Sequence, residues 1–187
     1  MSFEEQRRSM IREGEGSIPH MYLDTRGLVT VAVGQLLRTV EAAQELGFVE
    51  RDTRMAATVT QIAQNYESVE RQTDGRVASF YRQFTELDLP RAAINELLDR
   101  RIDGFEAGLR HDFPDYDGYP EKARLGLMDM VFNLGNAGLV RKFPTFTRAA
   151  RAEDWATCAK ECNRQGIGDR RNKEVRELFE SAGATHA

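Results

Sequence analysis

The amino-acid sequence predicts an α+β fold that is mostly α-helical, with a small N-terminal lobe and a C-terminal bundle of helices. Apolar residues recur at helical spacing along most of the chain, β-favouring residues concentrate between positions 21 and 34, and one later segment is apolar almost all round. With 187 residues, of which 41% are hydrophobic, the chain is long enough for a single domain with a buried core. We assign residues 1–88 to the N-terminal lobe and residues 89–187 to the helical lobe.

The first predicted element is a helix from Ser2 to about Glu13, which begins with the residue spacing of a capping box. Gly14 and Gly16 are expected to end it, because glycine is costly inside a helix and favourable just beyond its C-terminus. Glu15 is therefore expected at a helix terminus and not on a continuous helical surface.

A β-hairpin is predicted at about 21–34. Residues 24–27 read Asp-Thr-Arg-Gly, which is turn chemistry, and the β-favouring positions are Leu28, Val29, Val31 and Val33. Because the spacing after Gly34 is helical throughout, we expect no further strand in the chain.

The remaining elements are predicted to be helices. An inserted helix at about 52–75 has Asp52 as its N-cap and an apolar stripe that begins at Met55. The segment 121–134 has apolar residues on all sides, so it is expected to be a buried central helix. Other helical patterns lie near 77–87, 88–109, 145–152, 153–164 and 170–182, and a loop rich in proline and aspartate occupies 111–120.

Composition and charge exclude several classes of function. The formal net charge is −4, whereas proteins that bind nucleic acid usually carry a basic face, so we expect no nucleic-acid partner. No apolar run is long enough to span a bilayer, and the first residues lack the basic-then-apolar order of a secretory signal. We expect a protein made in the cytoplasm without a signal peptide or a transmembrane segment.

Cysteine and histidine residues indicate no metal site. Cys158 and Cys162 lie four residues apart in a helical stretch, so we expect buried free thiols and no disulfide. The histidines, cysteines and carboxylates show no metal-ligand spacing, and we expect no metal. His20 follows a proline in a connecting segment, where a local structural role is favoured over proton transfer.

Two carboxylates and a hydroxyl lie close together in the sequence. Glu15 and Asp24 are nine residues apart, and Thr30 follows six residues later on the returning strand. A glycosidase needs one carboxyl group that is protonated, to donate to the leaving oxygen, and one that is ionised. Placing them on two rigid elements of one compact unit would hold their separation. The spacing alone favours a solvated glutamate and an aspartate that serves the turn, because short motifs of this kind are common.

The wider pattern favours the catalytic interpretation. The string E-G, Y-x-D-T-x-G, T and G within residues 15–34 resembles the active-site segment of phage-type lysozymes, glycoside hydrolase family 24. The resemblance implies a lysozyme-like fold and a muramidase that needs no cofactor. It assigns Glu15 as general acid, Asp24 as the carboxylate that orients or activates water, and Thr30 as a water-positioning hydroxyl. This family inverts, which implies carboxyl groups roughly 6.5–9.5 Å apart.

Two further blocks carry the same resemblance. The string M-V-F-N-L-G at 130–135 looks like the family's buried central helix, which implies that Asn133 faces the cleft; we also expect Leu36 and Phe132 to contact substrate. The string G-I-x-x-R-R-x-x-E-x-x-x-L-F at 166–179 is similar to the family's C-terminal motif. It implies that Arg171 pairs with the catalytic glutamate. Such a pair would hold the carboxyl group and tune its proton affinity.

The sequence also departs from the family. Gln35 stands where many relatives carry histidine, and residues 38–88 are longer than the same interval in compact relatives. The insertion is either an elaborated lobe or self-association face, or a surface for a partner such as an immunity or inhibitor protein; we favour the former. Tyr116 and Tyr119, in the acidic loop, suit either a sugar-binding edge or the packing of their own loop.

We therefore expect a peptidoglycan hydrolase that cleaves the β-1,4 bond between N-acetylmuramic acid and N-acetylglucosamine, with glycan strands as its partner. It would act in the periplasm or on the cell wall, either as a bacteriolytic phage endolysin released by a holin or as an antibacterial toxin effector delivered by contact-dependent secretion. The acidic charge and the insertion favour the effector slightly. The alternative is a non-catalytic glycan-binding or structural protein on the same scaffold, against which the retained trio argues, because a binder needs no proton donor.

Overall fold

A computed structural model describes residues 2–184, and helices account for 62% of the structure, with two small antiparallel sheets. This confirms the expectation of an α+β fold that is mostly α. The described chain divides into two compact units. The first, which we call the hairpin unit, comprises Glu15–Asp99, and the second, the helical unit, comprises the described residues before Glu15 and from Arg100 onward. His186 lies outside the described residues.

The elements of the described chain are mostly helices. The strands are β1 (Ile18–Leu23), β2 (Val29–Ala32), β3 (Gln35–Leu36), β4 (Val49–Glu50) and β5 (Leu87–Asp88). The helices are α1 (Phe3–Glu15), α2 (Val40–Gln44), α3 (Val59–Glu70), α4 (Ala78–Tyr81), α5 (Arg91–Asp112), α6 (Glu121–Leu134), α7 (Asn136–Lys142), α8 (Pro144–Arg151), α9 (Trp155–Glu161) and α10 (Asp169–Ala184). No helix among residues 2–184 is both long and apolar enough to cross a membrane.

The hairpin unit is built on two antiparallel sheets. Strands β1, β2 and β3 form one sheet in that order, and β4 pairs with β5 in the other. The hairpin predicted at about 21–34 begins earlier, at Ile18, and the expectation of no strand beyond Gly34 is wrong. Strands β3, β4 and β5 have two residues each, which is too short to show the alternation that identifies a strand in a sequence.

Helix α3 begins later than its sequence pattern predicts. Asp52 is not its N-cap: the hydroxyl of Thr58 accepts a hydrogen bond from the Gln61 backbone N–H, and the Gln61 side chain accepts one from the Thr58 N–H. This capping box satisfies donors that a helix N-terminus leaves unpaired. Met55 and Val59, which extend the apolar stripe in the sequence, are 67% and 61% exposed, so the stripe is not a buried face at its N-terminal end.

Helix α6 is the buried centre of the helical unit, with the bounds that the sequence predicts. Nine of its residues are buried, and α10 packs along it. The contact is close because Gly126 presents no side chain to the ring of Phe179.

Cys158 and Cys162 are free and buried, which confirms their prediction. Helix α7, by contrast, is absent from the prediction, and the segment 77–87 is a short helix, a 3₁₀ turn and a strand instead of one helix.

A glycine pair tests the packing between α6 and α10. A Cβ on Gly126 would lie 2.6 Å from Phe179 Cζ, whereas a Cβ on Gly104 in α5 would meet no atom within 4 Å. We expect Gly126→Ala to lower the free energy of unfolding by about 1–3 kcal/mol through overpacking. Gly104→Ala should raise it by up to about 1 kcal/mol, through helix propensity. Urea unfolding of both variants measures this, and equal effects would contradict the packing described.

Candidate active site

Glu15 is the last residue of α1 and is exposed. The expectation that Gly14 ends the helix is wrong, because Gly14 lies inside its last turn. There the missing side chain makes room for Arg171: a Cβ on Gly14 would lie 2.7 Å from Arg171 Cζ. Gly16 ends the helix in the left-handed conformation that glycine adopts most readily, with φ +75°. Glu15 therefore occupies the helix terminus at which the sequence places it.

Asp24 occupies the turn between β1 and β2 and uses one carboxylate oxygen to shape it. Its Oδ1 accepts hydrogen bonds from the backbone N–H groups of Arg26 at 2.8 Å and Leu28 at 3.0 Å. Its Oδ2 lies 3.5 Å from the Arg26 guanidinium, at the outer limit of a hydrogen bond. Asp24 thus serves the turn through Oδ1, while Oδ2 retains the capacity to accept a proton or a hydrogen bond.

The hydrogen bonds of the turn also control the charge of Asp24. Partial burial alone would raise its pKa, but the backbone N–H groups of Leu28 and Arg26, together with the Arg26 guanidinium, outweigh burial and lower the pKa below its usual value. Asp24 is therefore an ionised carboxylate at neutral pH. That is the state in which a carboxylate can accept a proton from water.

Thr30 lies on β2, directly opposite both Tyr22 on β1 and Leu36 on β3. Directly paired residues project from the same side of a sheet, so these three side chains share one face. Thr30 is 3% exposed, and its hydroxyl donates a hydrogen bond to the carbonyl of Leu28 at 3.0 Å. Because its proton is used there, the hydroxyl oxygen is oriented as an acceptor for a further donor such as water.

Arg171 binds two groups of the helical unit. Its Nε and Nη2 lie 3.0 Å and 2.9 Å from Asp129 Oδ1, and its Nη1 donates to the carbonyl of Gly14 at 3.1 Å. Through Gly14 it holds the last turn of α1, the helix that ends at Glu15. This hydrogen bond therefore restrains the backbone of the C-terminal turn of α1.

Sequence reasoning missed Asp129, which organises this cluster. Asp129 is 1% exposed in the middle of α6 and also binds Arg164, whose Nη2 lies 2.7 Å from Oδ2 and whose Nη1 donates to the Asp129 carbonyl at 3.0 Å. A buried charge is tolerated only when it is paired and hydrogen-bonded. The available signal was an acidic residue in the middle of the apolar run 125–132 of α6, with arginines further along the chain.

Phe132 and Asn133 lie near the end of α6, in the helical unit. Asn133 is exposed, as a residue that contacts substrate must be. Phe132 is 4% exposed: its ring centroid is 5.2 Å from that of Phe105, and the Arg101 guanidinium lies 4.5 Å from its centroid. These contacts make Phe132 part of the packing beneath the surface.

Three other candidate residues, His20, Tyr116 and Tyr119, are buried and have structural roles. His20 is buried with Nε2 2.9 Å from the Ala78 carbonyl, and burial lowers its pKa, so it is neutral at pH 7 and joins α4 to β1. Tyr116 and Tyr119 are both buried, and Tyr119 packs edge-on against Trp155 with ring centroids 5.0 Å apart. The two tyrosines therefore pack their loop.

No protein-family model matches this chain, and a comparison with curated proteins also finds no match. Any proposal of function therefore rests on the resemblance of the sequence motifs and on the geometry of the described residues.

The Asp129 cluster predicts that Asp129 contributes much more to the free energy of unfolding than the exposed Asp117 does. Asp129→Ala leaves two arginines without their partner, one of them only 1% exposed, so we expect a loss of about 3–5 kcal/mol of unfolding free energy. Asp117→Ala removes an exposed pair with Arg110 and should cost at most about 1 kcal/mol. Thermal or urea unfolding of the two variants makes the comparison, and a similar small loss in both would contradict a structural role for Asp129.

The lowered pKa of Asp24 predicts how stability depends on pH. Because the folded pKa lies below the unfolded value of about 3.9, ionised Asp24 stabilises the folded chain above that pH, and this contribution disappears as the pH falls through the folded pKa. The stability difference between the wild type and Asp24→Asn should therefore be constant near neutral pH and shrink below about pH 4. Urea unfolding at a series of pH values measures it; a difference that grows on acidification would reverse the sign that the turn geometry requires.

Proposed function

We propose that this chain is a muramidase with a lysozyme-like fold, which hydrolyses the β-1,4 bond between N-acetylmuramic acid and N-acetylglucosamine in peptidoglycan. The observation that carries the proposal is the hairpin, which holds an ionised Asp24 with Oδ2 available and a buried Thr30 hydroxyl on an adjacent strand. Glu15, at the end of α1, belongs to the same compact unit. Inverting glycoside hydrolysis requires two carboxyl groups, one to donate a proton and one ionised to activate water. In the proposed site, the Thr30 hydroxyl would help to orient that water.

In the proposed reaction, Glu15 donates its proton to the glycosidic oxygen as the bond from that oxygen to the anomeric carbon breaks. A water molecule attacks the anomeric carbon from the opposite face and transfers a proton to Asp24 Oδ2. The Thr30 oxygen accepts a hydrogen bond from this water and orients it. The configuration inverts, and solvent restores the proton to Glu15 and removes it from Asp24, so no cofactor enters the balance.

Residues around this centre would hold the helix end and the glycan. We assign Arg171 as a positioning residue, because it binds the Gly14 carbonyl in the last turn of α1. Leu36 shares the sheet face of Thr30, and we propose that it contacts the glycan.

The biological setting that we propose is attack on the bacterial cell wall, as a secreted antibacterial effector or as an endolysin. The two settings share one reaction and differ in delivery. An adjacent immunity gene supports the effector, and an adjacent holin gene supports the endolysin.

Glu15→Gln is the direct test of the reaction. The amide keeps the size of the side chain but cannot donate the acidic proton, so we expect the release of reducing ends from purified peptidoglycan to fall at least about 100-fold. Glu13→Gln makes the same chemical change two residues away, at another exposed position of α1, and should keep wild-type activity.

Full activity of Glu15→Gln would remove Glu15 from the mechanism. A wild-type chain that binds glycan strands but releases no reducing ends would instead identify a non-catalytic binding protein. Circular dichroism and urea unfolding of both variants establish that the comparison is made between folded proteins.

A further inference from the structure

A cavity of about 370 Å³ adjoins Asp24 within the hairpin unit. One wall consists of residues 22–25, at the end of β1 and in the turn, and the other consists of residues 75–78, which precede and begin α4. The second wall belongs to the long interval that sets this sequence apart from compact lysozymes. The cavity therefore combines the proposed catalytic carboxylate with a segment to which the resemblance assigns no role.

The segment 73–78, which we call the flanking loop, is held in place at both ends. The Tyr81 hydroxyl donates a hydrogen bond to the Thr73 carbonyl at 2.9 Å, and the Ala78 carbonyl lies 2.9 Å from His20 Nε2. Between them, Asp74 approaches the turn so closely that a Cβ on Gly27 would lie 3.3 Å from Asp74 Oδ2. The cavity is therefore formed in advance of any ligand, which reduces the entropy lost on binding.

The chemistry of the flanking loop fits a sugar ring. Val77 is 72% exposed at the cavity, the largest exposure among the large hydrophobic side chains of the described chain. Arg76 lines the same wall with its guanidinium 5.5 Å from the centroid of the Phe80 ring. A pyranose offers an apolar C–H face to a side chain such as Val77, and hydroxyl and acetamido oxygens to the five donors of an arginine. Ligand sites commonly combine an apolar wall with a few polar groups in this way.

We infer that the flanking loop forms a glycan subsite next to Asp24, in which an N-acetylated hexosamine beside the cleaved bond packs on Val77 and accepts hydrogen bonds from Arg76. The inference rests on the proposed function, because its occupant is part of the same glycan strand. Val77 and Arg76 bind the ground state and the transition state alike. Their loss should raise KM and leave kcat almost unchanged.

The test uses Glu15→Gln as the parent, so that binding is measured without turnover. Calorimetry measures its affinity for soluble glycan strands from which an amidase has removed the stem peptides. We expect Val77→Ser and Arg76→Gln, each added to the parent, to weaken binding about 10-fold. Serine is a favourable N-cap at the start of α4, so Val77→Ser removes the apolar contact without disfavouring the fold.

Two control variants separate this subsite from general effects of polarity and charge. Val59→Ser alters an equally apolar and 61% exposed valine that lies outside the cavity lining, and Arg71→Gln removes an exposed arginine at the end of α3. Both controls should bind as the parent does. In the otherwise wild-type enzyme, Val77→Ser and Arg76→Gln should raise KM about 10-fold with kcat within about twofold.

Two results would overturn the inference, and they are distinguishable. If Val77→Ser and Arg76→Gln keep the parent's affinity and the wild-type KM while the enzyme still releases reducing ends, the subsite is wrong and the proposed function stands. If the parent binds no strands and the wild-type chain releases no reducing ends, the proposed function fails and the subsite fails with it.

Discussion

The helical unit depends on one buried carboxylate, that of Asp129. A lone charge at that depth would cost several kcal/mol, and it is retained because Arg164 and Arg171 neutralise it and satisfy its oxygens. The two arginines come from the segment before α10 and from α10 itself, so one ion cluster fixes both against α6. The third bond of Arg171, to the Gly14 carbonyl, extends the cluster to the last turn of α1. A stabilising network of the core is thus also the support of the helix that ends at Glu15.

The hairpin fixes the carboxylate of Asp24 in place and keeps it ionised. Burial opposes ionisation of Asp24, while two backbone N–H groups and the Arg26 guanidinium favour it, and the hydrogen bonds prevail. The same bonds orient the side chain through Oδ1 and leave Oδ2 for chemistry. A structural and a catalytic interpretation of Asp24 are therefore compatible, because each requires a different oxygen atom.

The sequence predicted what depends on local pattern. Helix α6 has the expected bounds because a helix that is apolar on every side is recognisable without its neighbours. The pattern failed at Gly14, which lies inside the helix and against which the distant Arg171 packs. It also failed at the start of α3, where a local capping box places Thr58 at the N-cap in preference to Asp52. Of the candidate site, the sequence placed the carboxylates and Thr30 on their elements, but Asp129 and the flanking loop emerge only from contacts between residues far apart in the chain.

In the proposed mechanism, Glu15 donates a proton while Asp24 and Thr30 deliver water from the other side. The stereochemistry of the first product tests this most directly, because delivery of water opposite the leaving group inverts the anomeric carbon. Proton NMR during hydrolysis of β-linked glycan strands should show the α-anomer of the new reducing end first, followed by slow mutarotation. Initial release of the β-anomer would contradict the account, since it requires a covalent or substrate-assisted intermediate in place of an Asp24-held water.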